Sequence, residues 1–518
     1  MTDRQYYPAA HAARDGAKPA VIMGSTGETM TYAELDARSN QLAQVFHAEG
    51  LRPGDHVAIF LENNLRYLEV VWAAQRSGLY YTPISSLLTR PELDYVVNDC
   101  EAVGLIASAS LAAAAGGIGD RLPRVRLRLG VGGDIEGFAD YAATRDRAPS
   151  TPVEPEVAGS EMFYSSGTTG RPKGVRKPLT LVPAWEVPTY FPTYRDLYGF
   201  DTATVWLSAG PLYHAGPLYG CLAALRAGGT IVVMERFDPA DALRLVERHG
   251  VTHAQWVPTM FSRMLKLSPE ERSRHDVSSM VFGVHGAAPC PVAVKQAMLD
   301  WWGSILYEFY AGTEGNGMTL ISADEWHDHP GSVGKAVLGV AHIVDDDGRE
   351  LGPGEIGTVW FSDGFPFEYH EDPEKTREAH DDRGWSTLGD VGYLDDEGYL
   401  YLTDRKAFMI VAGGVNIYPR EIEDVLVVHP KVADVAVFGV PNDDLGEEVK
   451  ALVQLADGVE PSAAVEAELL ACCRAQLARV KVPRSVDFVA DLPRLPTGKL
   501  QKGVLRAPYW EGHRSRLV

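Results

Sequence analysis

The sequence predicts an α/β protein in two parts: a large layered N-terminal domain, residues 1–404, and a small α+β domain, residues 405–518. Three observations predict it. Helix and strand patterns alternate through the first third, which is the rhythm of a largely parallel sheet with helices on its faces. Between roughly 338 and 403 short strands and glycine turns replace that rhythm, and a β-rich subdomain is expected there. After Arg405 a compact set of helices and strands begins. With 518 residues the chain also exceeds what one core usually serves.

Each element has a local reason. Thr31-Tyr-Ala-Glu34 is a capping box opening an amphipathic helix through Leu35, Leu42, Val45 and Phe46. Gly50 and Pro53-Gly54 end it, and His56–Leu61 follows as a buried strand. A second helix runs from about Tyr67 to Ser77, and Thr89-Arg-Pro-Glu92 opens another by the same capping device. Ala107–Gly119 reads as a helix and its cap. Farther on, Val205–Ser208 and Thr230–Met234 are strands and Pro239–His249 a helix. In the small domain Pro419–Val428 is a helix, Val432–Phe438 and Val449–Leu455 are strands, Ala463–Val480 is a long helix and Ser485–Val489 a last strand.

Composition narrows the partners. Asp and Glu exceed Lys and Arg by 70 to 48, a formal net charge of −22. A chain that acidic is a poor ligand for nucleic acid or for a broad anionic membrane face. An anionic ligand must be held by local cations. The five cysteines, Cys100, Cys221, Cys290, Cys472 and Cys473, make no zinc spacing and suit a reducing compartment. The N-terminal residues lack the apolar core of a signal peptide and no apolar run approaches a membrane span, so a cytoplasmic protein is expected. Oligomeric state is not legible, and a homodimer is among the states open to it.

The most informative stretch is Tyr164-Ser-Ser-Gly-Thr-Thr-Gly-Arg-Pro-Lys-Gly174. Ser165, Ser166, Thr168 and Thr169 supply hydroxyls, Gly167 and Gly170 let backbone N–H groups approach a ligand, and Lys173 adds a point charge. That set suits a polyphosphate. It is not the P-loop of kinases and GTPases, because Arg171 and Pro172 separate Gly170 from the lysine. Tyr310-Ala-Gly-Thr-Glu314 joins an aromatic face for stacking, small residues at Ala311 and Gly312, a hydroxyl at Thr313 and a carboxylate suited to Mg²⁺. Asp390, in Thr387-Leu-Gly-Asp390 at an expected strand end, offers an acceptor for ribose hydroxyls. Arg405 offers a rigid donor fork, Gly413-Gly414 a turn before a helix, and Pro496-Thr-Gly-Lys499 a basic loop near the C-terminus. Taken singly, the segments after Gly174 also read as a strand end, an ordinary turn or a solvated charge, whereas so many hydroxyls beside a lysine are unusual for a plain surface turn.

Together, in this order from Thr31 to Lys499, these segments resemble the adenylate-forming superfamily of acyl-CoA synthetases, free-standing adenylation domains and beetle luciferases. The resemblance implies a distorted barrel in the β-rich region and a mobile small domain. It implies attack of a carboxylate on the α-phosphorus of ATP, then transfer of the acyl group to a thiol with release of AMP. It further implies that Ser165 to Lys173 holds the β- and γ-phosphates and that Glu314 holds Mg²⁺. Thr313 would lie by the α-phosphate, Gly286-Ala287-Ala288-Pro289 and Tyr310 would sandwich adenine, and Asp390 and Arg405 would hold the ribose. Lys499 would be the adenylation lysine, and Gly413 and Gly414 would line the pantetheine tunnel of coenzyme A. Ala407 stands where many relatives carry a polar hinge residue, and Tyr310-Ala-Gly replaces the commoner Tyr-Gly-x.

The acid itself is less legible. Pro211-Leu-Tyr-His-Ala-Gly216 resembles the family segment that contributes an aromatic or histidine to the acyl site, so Tyr213, His214 and Gly312 are the pocket candidates. His214 either lines that pocket, gates the thiol tunnel or is a packed histidine. No aspartate stands between Ala209 and Arg226 to pair an ammonium, which favours an acid without an α-amine. Leu179–Phe200 is rich in proline and aromatics and reads as a pocket wall or as an excursion with its own small core. The histidines His327, His329, His370 and His380 lack ligand spacing and read as solvated. The expected enzyme is an acid–CoA ligase for a fatty, aryl or polycyclic acid. Loading of a carrier protein, luciferase-like oxygenation and an inactive ATP-binding regulator are the alternatives.

Overall fold

The computed structural model describes residues 3–165, 172–405, 408–412, 415–442, 445–494 and 500–511. Among these, two large sheets form the first part. One runs in space as Glu368–Tyr369, Lys173–Arg176, Ser160–Ser165, Tyr80–Pro83, His56–Phe60, Gly104–Ser108, Leu127–Val131 and Ala139–Asp140. Its central pairs are parallel, because helices cross between them. The second runs as Lys335–Leu338, Met318–Ile321, Leu306–Ala311, Phe282–His285, His253–Trp256, Val205–Ser208, Thr230–Val233, Pro19–Met23 and Thr29–Thr31. Helix Leu65–Gln75 lies in the core that joins both sheets: Trp72 and Tyr67 are fully buried there with Phe46 and Trp206.

The capping box at Thr31 is formed, with Glu34 accepting from the Thr31 backbone N–H at 2.9 Å. The β-rich region is a four-stranded antiparallel sheet, Val340–Val344, Gly357–Ser362, Ser386–Leu394 and Leu400–Arg405. The following strands, from Ile410–Ala412 onward, belong to a separate sheet built on the long pair Val432–Asn442 and Gly446–Leu455. Its core of Ile422, Leu426, Val437, Val453 and Leu469 is its own. At Lys266 Nζ, 3.0 Å from the Ala433 carbonyl, the two parts touch.

Two expectations need correction, and one alternative falls away. The long helix ends at Gln476, where Leu477 turns to extended backbone and a short 3-10 turn takes over at Arg479–Lys481. Ala107–Gly119 is mostly strand end, 3-10 turn and one short helix, Ala112–Ala115, since Gly116 stops it. Leu179–Phe200 is no excursion with a small core of its own: Phe191, Tyr198 and Phe200 enter the main core, and Tyr198 lies 4.5 Å from Phe282.

Candidate functional site

The strands Ser160–Ser165 and Lys173–Arg176 are antiparallel, and their pairing closes with Ser165 opposite Lys173. Ser166, Gly167, Thr168, Thr169 and Gly170 lie outside the described residues. Lys173 Nζ is 2.6 Å from Asp372 Oδ2. The other oxygen of Asp372 caps helix Pro373–Glu378 by accepting from the Lys375 N–H at 2.9 Å. The hydrogen bond from Lys173, with that cap, holds the Asp372 carboxyl below its usual range. Three residues earlier the Tyr369 hydroxyl donates to Glu314 Oε1 at 3.0 Å, and Glu314 is buried. One short segment therefore touches both the lysine and the carboxylate singled out in the sequence. Neither Asp372 nor Tyr369 was foreseen. Asp-Pro-Glu reads only as a helix start, and nothing local reveals a partner 199 residues away.

A second group sits at the carboxyl ends of the parallel strands Phe282–His285 and Leu306–Ala311, where open α/β sheets bind ligands. Gly286 leaves the first strand so close to its neighbour that a Cβ would come within 2.6 Å of the Phe309 ring and carbonyl. Ala287 adopts φ +66°, a left-handed conformation uncommon outside glycine. Tyr310, at the end of the second strand, donates its hydroxyl to Asp390 Oδ2 at 2.7 Å. Asp390 lies inside strand Ser386–Leu394, not at its end, and is the register partner of Arg405. The preceding Gly389, at φ +77°, makes the local kink that the sequence suggested as an end.

Beneath this group lies an ion pair that sequence reasoning missed. Lys295 Nζ is 2.7 Å from Glu308 Oε2, both are buried, and His285 Nε2 lies 3.7 Å from the same oxygen. Burial holds the His285 imidazole well below its usual range. A signal existed: Lys295, Met298, Leu299 and Trp302 form one buried helical stripe, with a lysine at an apolar position.

His214 is the residue before helix Ala215–Ala227. Its ring lies 4.6 Å from that of Tyr213, and its buried Nε2 has no hydrogen-bond partner among the described residues. Burial lowers its pKa to about 4, so the ring is neutral at physiological pH. Gly216 faces Gln255, whose amide nitrogen stands 2.3 Å from where a Cβ would be. Tyr213 is largely buried in the main core. Of the histidines expected in solvent, His370 is buried and bonds to the Asp99 carbonyl at 2.9 Å, because its segment pairs with the strand Lys173–Arg176. Lys499, Gly413, Gly414 and Ala407 lie outside the described residues, as does the Arg405 side chain.

Among the described residues no cluster of three or more His, Cys, Asp or Glu could cage a metal ion. Mg²⁺ on a nucleotide needs no such cluster, since it takes one or two carboxylates plus phosphate oxygens. Glu314 fits such a part: Tyr369 engages Oε1, while Oε2 stands 2.8 Å from the Cβ position of Gly312, so a side chain there would crowd it.

The AMP-binding enzyme family profile matches residues 9–365, and the profile of that family's C-terminal domain matches residues 421–499. The long-chain-fatty-acid–CoA ligase FadD13 of Mycobacterium tuberculosis is 33% identical over 508 residues, covering 95% of each chain. A feruloyl-CoA synthase from Amycolatopsis is 36% identical over 488 residues, 93% of this chain and 94% of that protein. The crystal structure of ATP-bound MatB from Rhodopseudomonas palustris superposes with a TM-score of 0.84 at 31% identity, covering 99% of this chain and 100% of that one. The chain therefore belongs to the AMP-binding enzyme family and is an adenylate-forming, acyl-CoA synthetase-like ligase.

Proposed function

We propose that this ligase activates a hydrophobic carboxylic acid (fatty, aryl or polycyclic) as its adenylate and passes the acyl group to coenzyme A. The observation that carries the site reading is the Tyr369–Asp372 segment, which ties Lys173 and Glu314 together beside the Tyr310–Asp390 pair. The chemical difficulty is that a carboxylate must approach the polyanionic ATP. Cationic donors aimed at the phosphates offset that repulsion and stabilise the in-line transition state. Lys173, with Ser165 and the loop between them, holds the leaving pyrophosphate. Glu314 is the residue that would hold Mg²⁺, which when bound would supply further charge compensation at the phosphates.

Gly286–Pro289 and Tyr310 enclose adenine, with Ala311 and Gly312 beside it and Thr313 at the α-phosphate. Asp390 and Arg405 take the ribose hydroxyls. Lys499 bridges the acid and the α-phosphate during adenylation. Gly413 and Gly414 serve the later thiol step on a small domain that begins at residue 405. The neutral ring of His214 sits where acid and thiol meet. The named acids of the two ligase relatives, long-chain fatty and feruloyl, support a hydrophobic substrate. The unpaired cysteines, four of them buried, support a reducing cytoplasm, and among the described residues no helix is long and apolar enough to cross a membrane. A homodimer is the oligomeric state we would test by sedimentation.

The test supplies ATP, Mg²⁺ and a panel of acids and follows AMP with and without CoA. Thiol-dependent AMP release is expected. AMP release indifferent to CoA yet stimulated by a carrier domain bearing a free phosphopantetheine thiol would favour carrier loading instead. Lys499→Ala should abolish adenylate formation while sparing thiolation of a supplied acyl-adenylate, and survival of both steps would remove the role given to Lys499.

A further inference from the structure

The sheet face that carries Lys173 carries a second lysine. Side chains on one strand alternate between faces, so Lys173, Val175 and Lys177 share a face, as do Ser165, Phe163 and Glu161 on the partner strand. One step past the pair Met162–Arg176, Lys177 Nζ meets Glu161 Oε1 at 3.2 Å. It also donates to the Tyr219 hydroxyl at 2.8 Å, and that hydroxyl donates onward to Glu161 Oε1. Tyr219 belongs to the helix that His214 precedes, and its ring packs on Phe163 and Tyr190. On the remaining side, Lys177 Cε is 3.9 Å from the Cβ position of Gly315, the residue after Glu314. The trio thus borders the space between the phosphate strands, the His214 helix and the Thr313–Gly315 turn. On the acid–CoA ligase reading, an acid that extends from the α-phosphate between these elements would pass the trio.

Charge and proton counts say what the trio can accept. Lys177 and Glu161 already neutralise each other, so a second carboxylate would gain little. An ammonium has three N–H bonds, and Lys177 uses two among the described residues. Lys177 follows Lys173 by four residues, about 13 Å along the chain at the usual rise, so the trio stands well away from the lysine assigned to pyrophosphate. Resting on the acid–CoA ligase reading, we propose that Lys177, oriented by Glu161 and Tyr219, is a specificity residue that donates a hydrogen bond to a neutral oxygen, a hydroxyl, methoxy or ketone, on the distal part of the acid.

The experiment compares kcat/KM for matched acids, cinnamic against 4-hydroxycinnamic and decanoic against 9-oxodecanoic, in the wild type, Lys177→Met and Tyr219→Phe. The wild type should prefer the oxygenated member of at least one pair by about tenfold or more, the usual worth of a hydrogen bond from a charged donor. Lys177→Met should collapse that ratio, mainly through KM, and Tyr219→Phe should reduce it. Equal use of both members by the wild type overturns the proposal, as does a Lys177→Met that slows both members alike, since a purely structural ion pair would do that. Should Lys177→Met fail to fold, the Tyr219→Phe ratio decides. No thiol-dependent AMP from any acid would instead sink the ligase reading itself, a separate and recognisable outcome.

Discussion

Lys173 and Asp372 form an ion pair at 2.6 Å across 199 residues of sequence, so the cation assigned to pyrophosphate is already neutralised by a protein carboxylate. The pair is doubly anchored, since Asp372 also caps its helix. ATP and Asp372 then compete for one ammonium.

Asp372→Asn keeps an oxygen for the cap and removes the competing charge. The expected result is a KM for ATP lowered about threefold to tenfold, with solvent screening keeping the effect at that size. Product release should slow in step, because pyrophosphate is held by the same lysine. Steady-state KM and the pyrophosphate inhibition constant check it. A raised KM would mean that Asp372 orients Lys173 and does not compete with the nucleotide.

Tyr310 and Asp390 share a hydrogen bond of 2.7 Å, which aligns the ring assigned to adenine with the carboxylate assigned to ribose. Tyr310→Phe retains the stacking face and removes this hydrogen bond. A loss of about 1 kcal/mol in folding stability is expected, with AMP affinity falling severalfold. Calorimetry of AMP binding checks the second part. Unchanged affinity would show that the ring face alone matters.

Below the adenine loop, Lys295 and Glu308 are buried as a pair, and breaking one partner strands the other. Lys295→Met should destabilise the protein by about 3–5 kcal/mol, whereas Lys295→Met with Glu308→Met should recover much of that loss. Urea denaturation of both variants gives the comparison. A single variant as stable as the double would show that Glu308 finds water or another donor.

What was legible in the sequence was local. The Thr31 box needs only its Thr and Glu three residues apart, and the glycine at 286 needs only a strand about to end. Lys295 was legible too, through the stripe it shares with Met298 and Trp302, had the lysine been counted as buried. The contacts of Lys173 with Asp372 and of Glu314 with Tyr369 were not. They depend on the edge strand Glu368–Tyr369 pairing with Val175 and Arg176, and two-residue strands carry no periodic signal. Similarly, Leu179–Phe200 announced its aromatics, but which core would take them was a matter of packing against Trp206 and Phe282.

Two buried imidazoles make stability fall with acid. Burial lowers His214 to about 4, and burial, with His370 and Arg176 nearby, lowers His56 to about 4. In the unfolded chain both titrate near ~6.5. Between those values the unfolded state binds protons that the folded state refuses, so stability is full above about pH 6.5 and declines towards pH 4. Each group can account for up to about 3 kcal/mol over that window. Urea midpoints at pH 7.5 and pH 5 should therefore differ in the wild type, and His56→Phe should narrow the gap, as should His214→Phe. Packing changes made by phenylalanine shift both midpoints together and do not alter the gap. Equal midpoints in the wild type, or an unaltered gap in both variants, would mean that the rings are protonated in place and that water reaches them.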